Sequence, residues 1–107
     1  MDPINPGFVK DPYDMQENLK ELMKQKLDPL LMDIVNQNPA TVPIIIQTID
    51  GLKDADREKV DGLGGKVKDD LYIINAFSAD MSTDAIVELI KESRIIKVYY
   101  DAEVRAV

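Results

Sequence analysis

The chain has 107 residues, 45% of them apolar, a net charge of −7, and no Cys, His or Trp. That length suits one domain with its own core. No run approaches the roughly 18 apolar residues of a membrane span, and 13 scattered Lys and Arg form no basic stripe for nucleic acid. Without Cys there is no disulfide, thiolate or Cys-type zinc site. Without His, acid–base chemistry near neutral pH would need carboxylates or Lys tuned by a cleft. The composition therefore points to a binding module rather than an enzyme.

In chain order, residues 1–13 are rich in Pro, Asp and Asn and read as an irregular arm. They lack the basic and apolar regions of a signal peptide, so the protein is expected to be intracellular or to have lost such a segment. Asp14 with Glu17 reads as a capping box opening a helix that carries Leu19, Leu22, Met23 and Leu27 at helical spacing. Asp28-Pro29 restarts a helix, Asp as cap and Pro at the first position, with Leu30, Leu31, Ile34 and Val35 as its stripe. Asn36-Gln37-Asn38-Pro39 ends it.

Residues 43–49 are β-branched and nearly continuous, as in a central strand. Asp50-Gly51 makes a turn, Asp54 caps a short helix to Gly62, and Val60 and Leu63 point inward. Gly64-Gly65 stops that helix. Lys66-Val67-Lys68 opens a second strand, Asp69-Asp70 is the expected hairpin tip, and residues 71–78 form a third strand. Ser82 caps a helix burying Ala85, Ile86, Leu89 and Ile90, and residues 95–99 form the last strand.

Strand, helix, strand, strand, helix, strand is the order of the ferredoxin-like split βαβ motif. The expected fold is α+β: an antiparallel four-stranded sheet with two helices on one face, preceded by an N-terminal helical extension. Residues 1–41 form the arm and extension, 42–103 the domain, and 104–107 a tail. Apolar residues of both parities, Ile44 and Ile46 against Ile45, and Ile73 against Ile74, ask for cover on both faces. The second face is to be covered by the N-terminal helices or by a partner.

The tail, Val104-Arg105-Ala106-Val107, has no Pro, Gly or helix signal and reads as an extended peptide hung off the last strand. Such a peptide can pair with an exposed strand edge and offer side chains to pockets. Asp69-Asp70 reads as a solvated turn rather than a catalytic pair. Asp54, Asp56, Glu58 and Asp61 lack calcium-loop spacing and read as caps and a solvated face. Neither metal nor cofactor is expected. Met15, Met23, Met32 and Met81 read as core filler.

Gly64-Gly65-Lys66-Val67, then residues 72–79 (Tyr-Ile-Ile-Asn-Ala-Phe-Ser-Ala), 85–91 (Ala-Ile-Val-Glu-Leu-Ile-Lys) and Val98-Tyr99-Tyr100-Asp101, resemble the propeptides of subtilisin-like serine proteases, also called inhibitor I9 domains. The resemblance covers residues 42–107, roughly three-fifths of the chain. The stretch from Lys26-Leu27-Asp28-Pro29 to Val42-Pro43 is similar to the N-terminal extension of archaeal and some bacterial members. The resemblance implies the ferredoxin-like fold and an intramolecular chaperone that then inhibits the protease, in cis as a precursor or in trans. It implies secretion if the chain is part of a protease precursor.

The resemblance further implies that the open sheet face packs on two enzyme helices and that the tail lies in the active-site cleft as a cleaved product. Val107 would fill the pocket before the cut, Ala106 and Arg105 would follow, and Val104 would fill the next major pocket. Asp101 matches a family carboxylate that caps an enzyme helix; Tyr99 stands where the family usually has Glu, so that cap loses its charge. The rival reading is a ferredoxin-like regulatory or assembly module that binds a small ligand or self-associates, a role the shared fold allows.

Overall fold

The structure, a computed structural model, describes residues 12–102, with side chains from Asn18 onward. In chain order it contains α1 (Pro12–Lys26), α2 (Pro29–Asn36), β1 (Val42–Thr48), α3 (Asp54–Gly62), β2 (Lys66–Leu71), a 3₁₀ turn (Tyr72–Ile74), β3 (Ala76–Met81), α4 (Thr83–Leu89) and β4 (Ile95–Tyr100). The four strands form one sheet in the order β2-β3-β1-β4, with every pairing antiparallel. This is the α+β, ferredoxin-like arrangement expected from element order.

One face of the sheet makes the core. Val42, Ile44 and Ile46 of β1 alternate inward and meet Met81, Ala79 and Phe77 of β3 across the ladder. Val60 of α3, Ile86 and Leu89 of α4 and Ile90 just after it close over them, so both helices lie on the same side. Ser82 accepts a bond from the Ala85 N–H at 3.1 Å and caps α4, as its sequence predicts.

The N-terminal helices do not fold across the opposite face. Leu27, Leu31 and Val35 join the same core cluster as Ile44 and Val98. Leu27 also bridges Val98 in parallel, and the Asp28 N–H donates to the Val98 carbonyl at 2.9 Å. The extension thus shields the outer edge of β4, which would otherwise present unpaired backbone groups. Lys26 fastens the arrangement: its Nζ donates to the carbonyls of Ile90 (2.8 Å) and Glu92 (2.9 Å) just past α4, where a cation satisfies orphan carbonyls. Burial there pushes the Lys26 ammonium pKa down, against the opposing charge of Glu92.

Several local expectations are corrected. Helix α1 already runs from Pro12, so Asp14 lies inside it; Pro suits a first helical position because its missing N–H has no partner to lose. The N-cap of α3 is Lys53, not Asp54. Asp56, at the third helical position, takes the Lys53 N–H at 2.9 Å. Strand β1 ends at Thr48, leaving Ile49 exposed.

The largest correction is the β2–β3 hairpin. Asp69 and Asp70 pair with Ser78 and Phe77 inside the ladder, and the turn comes later, at Tyr72–Ile74 with Asn75 left-handed at φ 54°. The apolar run at 71–74 has strand propensity, but register is set by which side chains must face the core. Phe77 and Ala79 have to oppose Ile46 and Ile44, so β3 begins after Asn75. Asn tolerates the left-handed conformation that the turn requires. Ile73 and Ile74 are therefore turn residues, not two faces of a strand.

Of the methionines, Met81 is fully buried and Met23 and Met32 pack at the margin of the core. The side chain of Met15 lies outside those described.

Candidate functional site

Among the described residues, no helix lies on the second face of the sheet. At its centre Ile45 and Tyr99 stand directly opposite one another, flanked by Gln47 opposite Lys97. Ile45 is half-buried and Tyr99 is 37% exposed. Ser78 and Ala76 of β3 lie opposite Ile45 and Gln47 on the same side and are buried. This side of the sheet mixes apolar Ile45 and aromatic Tyr99 with polar Gln47 and charged Lys97.

Asp101 extends this face. Its N–H donates to the Pro43 carbonyl at 2.9 Å, which continues the β1–β4 ladder one step past the strand. Two residues beyond Tyr99, it shares Tyr99's side of the sheet. Among the described residues it has no ion-pair partner. The two residues expected to cap partner helices are thus neighbours at i and i+2 on the face that none of the described helices covers. One offers a carboxylate able to accept the orphan N–H groups of a helix N-terminus; the other offers a ring and one hydroxyl. The expected cleft residues, Val104, Arg105, Ala106 and Val107, lie outside the described residues.

Of the acidic residues singled out near α3, Asp56 has structural work, whereas Asp54, Glu58 and Asp61 are exposed. Asp56 caps the helix, and it shares with Asp50 the guanidinium of Arg94. Asp69 and Asp70 are exposed strand residues. Among the described residues no group of three or more acidic side chains is placed to hold a metal ion, and no helix is long and apolar enough to cross a membrane.

Two features escape a reading of the sequence. Lys26 looks like one more helix lysine, because its carbonyl partners lie 64 and 66 residues away. Tyr72, Ile73 and Ile74 look like core strand yet are exposed at the hairpin tip; the Asn that follows them is the local signal for a turn.

No protein-family model matches the chain, and no curated protein matches it significantly.

Proposed function

We propose that this chain is a propeptide-like inhibitor and folding assistant of a subtilisin-like serine protease, and is not itself catalytic. The observation that supports this best is the sheet face on which none of the described helices lies, with Tyr99 and Asp101 together on it and residues 104–107 following β4 in the sequence. The N-terminal helices had the apolar stripes to cover that face and instead bind the β4 edge. A surface spared in this way suits a partner.

The chemistry is product inhibition held in place by a dock. The tail would pair its backbone with strand edges of the protease cleft while Val107 and Val104 fill pockets. The sheet face, seated on two enzyme helices with Asp101 at one N-terminus, would keep the tail at a high effective concentration. A cleft occupied by an already cleaved end has no bond left to break. Before cleavage the same contacts would stabilise the folded protease over its unfolded chain, which is the folding assistance.

The purified chain mixed with subtilisin should produce slow, tight loss of peptidase activity that depends on residues 104–107. Unchanged turnover with the chain in large excess would overturn the proposal. In that case a concentration-dependent dimer would favour a self-associating ferredoxin-like module.

A further inference from the structure

We infer that the β2–β3 hairpin tip, Tyr72-Ile73-Ile74, is an exosite: a second docking surface for an apolar, basic-rimmed depression on the protease, remote from the catalytic groove. The identity of the partner rests on the function proposed above.

Tyr72, Ile73 and Ile74 are 72%, 83% and 55% exposed. With Asp70 and Leu71 they line a shallow cleft of about 340 Å³. Turn tips are ordinarily built from Gly, Asn, Asp, Pro and Ser, and three consecutive large apolar side chains in water mark a surface that is covered at times. They are not alone. Of the seven exposed large hydrophobics among the described residues, five (these three with Ile49 and Ile96) gather at one end of the sheet, and Tyr99 lies on the adjoining face. Backbone bonds bring that end together: Thr48 N–H donates to Asn75 C=O at 2.9 Å, and Ile49 N–H to Arg94 C=O at 3.1 Å.

Charge selects the occupant. Asp69 and Asp70 border the tip, and neither is ion-paired among the described residues. A second copy would bring these carboxylates together between two chains of net charge −7. An anionic lipid surface would repel them. A protein surface with Lys or Arg around an apolar hollow satisfies both parts of the patch. Position separates this contact from the cleft. Gln47 of β1 pairs with Ala76 beside the tip and Ile44 pairs with Tyr100 at the end of β4, so the tip and the C-terminal end of β4 lie at opposite ends of the sheet.

The test compares the full chain with its Tyr72→Ser/Ile73→Ser double variant on subtilisin whose nucleophilic serine has been sulfonylated to close the cleft. The double variant should bind this blocked enzyme at least tenfold more weakly by biosensor, with an unchanged melting temperature. If the double variant fails to fold, Ile73→Lys alone, at the most exposed position, carries the same comparison. Equal dissociation constants would overturn the exosite while wild-type inhibition of active subtilisin left the proposed function standing. A wild-type chain that does not inhibit overturns both. A tip-dependent dimer in sedimentation, or tip-dependent flotation with phosphatidylcholine vesicles, would also overturn the exosite by assigning the patch to a second copy or to lipid.

Discussion

Arg94, in the turn before β4, is ion-paired with Asp56 in the first turn of α3. The same guanidinium donates to the Asp50 carboxylate at 2.6 Å and to the Gly51 carbonyl at 3.0 Å. Asp56 is only 7% exposed and also holds the Lys53 N–H. Thr48 completes the network, exchanging bonds of 2.7 Å with the Gly51 N–H and C=O. One arginine therefore ties the exit of β1, the start of α3 and the entry of β4, which fixes the strand that carries Tyr99.

Asp56→Ala removes a helix cap and one partner of Arg94 together. A lost cap costs about 1 kcal/mol, and an unsatisfied group in a half-buried network costs about as much again. Thermal unfolding followed by circular dichroism should show a loss of about 2 kcal/mol, roughly 10 °C in Tm for a domain of this size. Asp56→Asn, which keeps an acceptor, should lose less. A Tm unmoved by Asp56→Ala would show that the network contributes nothing to stability.

Acid should weaken the fold through Asp50. The hydrogen bond from Arg94, helped by the charges of Lys53 and Arg94, holds its carboxyl below the usual carboxylate range despite some desolvation. A group with a depressed folded pKa contributes stability above its unfolded value, about 3.9, and loses it as pH falls through the lower folded value. Glu88, bonded to Lys91 at 2.7 Å, acts in the same direction. Urea midpoints should hold steady down to about pH 4 and fall below it. Asp50→Asn should flatten that fall, and an identical pH profile would refute the assignment.

The two glycines after α3 differ in kind. Gly64 has φ +82° with open space around it, whereas a Cβ on Gly65 would lie 2.8 Å from Met81 Cγ and 2.9 Å from the Asp80 carbonyl. That carbonyl belongs to β3 and cannot yield without breaking the sheet. Gly65→Ala should cost about 1–3 kcal/mol by overpacking, and Gly64→Ala about 1 kcal/mol by strain in the left-handed region. Chemical denaturation of both variants checks the order; a harmless Gly65→Ala would contradict the close packing of α3 on β3.

On the proposed function, removing residues 104–107 should reduce inhibition of subtilisin by orders of magnitude. The circular dichroism spectrum and Tm should not change, because the core cluster of the described residues already joins the sheet to the helices around it. Parallel loss of fold and inhibition would mean that the tail has a structural role instead.

Asp101→Ala should weaken inhibition more than Tyr99→Phe. The first deletes a charge placed for a helix N-terminus, a contact of about 0.3–1 kcal/mol where exposed and more when buried at an interface; the second deletes one hydroxyl. Equal and negligible changes in a titration of protease activity would remove the capping role.

Much of this architecture is legible in the residues themselves. The Ser82 and Asp28-Pro29 caps, the buried positions at and just after α4 and the strand character of β1 depend on neighbours within a few positions, and the structure has them as read. Reading failed where a distant partner outweighed local preference. The run at 71–74 has the composition of a strand, yet it turns because Phe77 and Ala79 are held opposite Ile46 and Ile44. Asp54 has the character of a cap, but Asp56 has both Lys53 and Arg94 to bind.

The sequence by itself determined the element order, the inward faces of the helices and the acidic, His-free chemistry, because periodicity, capping and composition are short-range properties of the chain. Only the tertiary structure decided that the N-terminal helices guard the β4 edge, that Tyr99 and Asp101 share a bare face, and that three apolar residues crown a hairpin. Those outcomes depend on contacts between residues tens of positions apart, where packing against one shared core overrides what each segment would do alone.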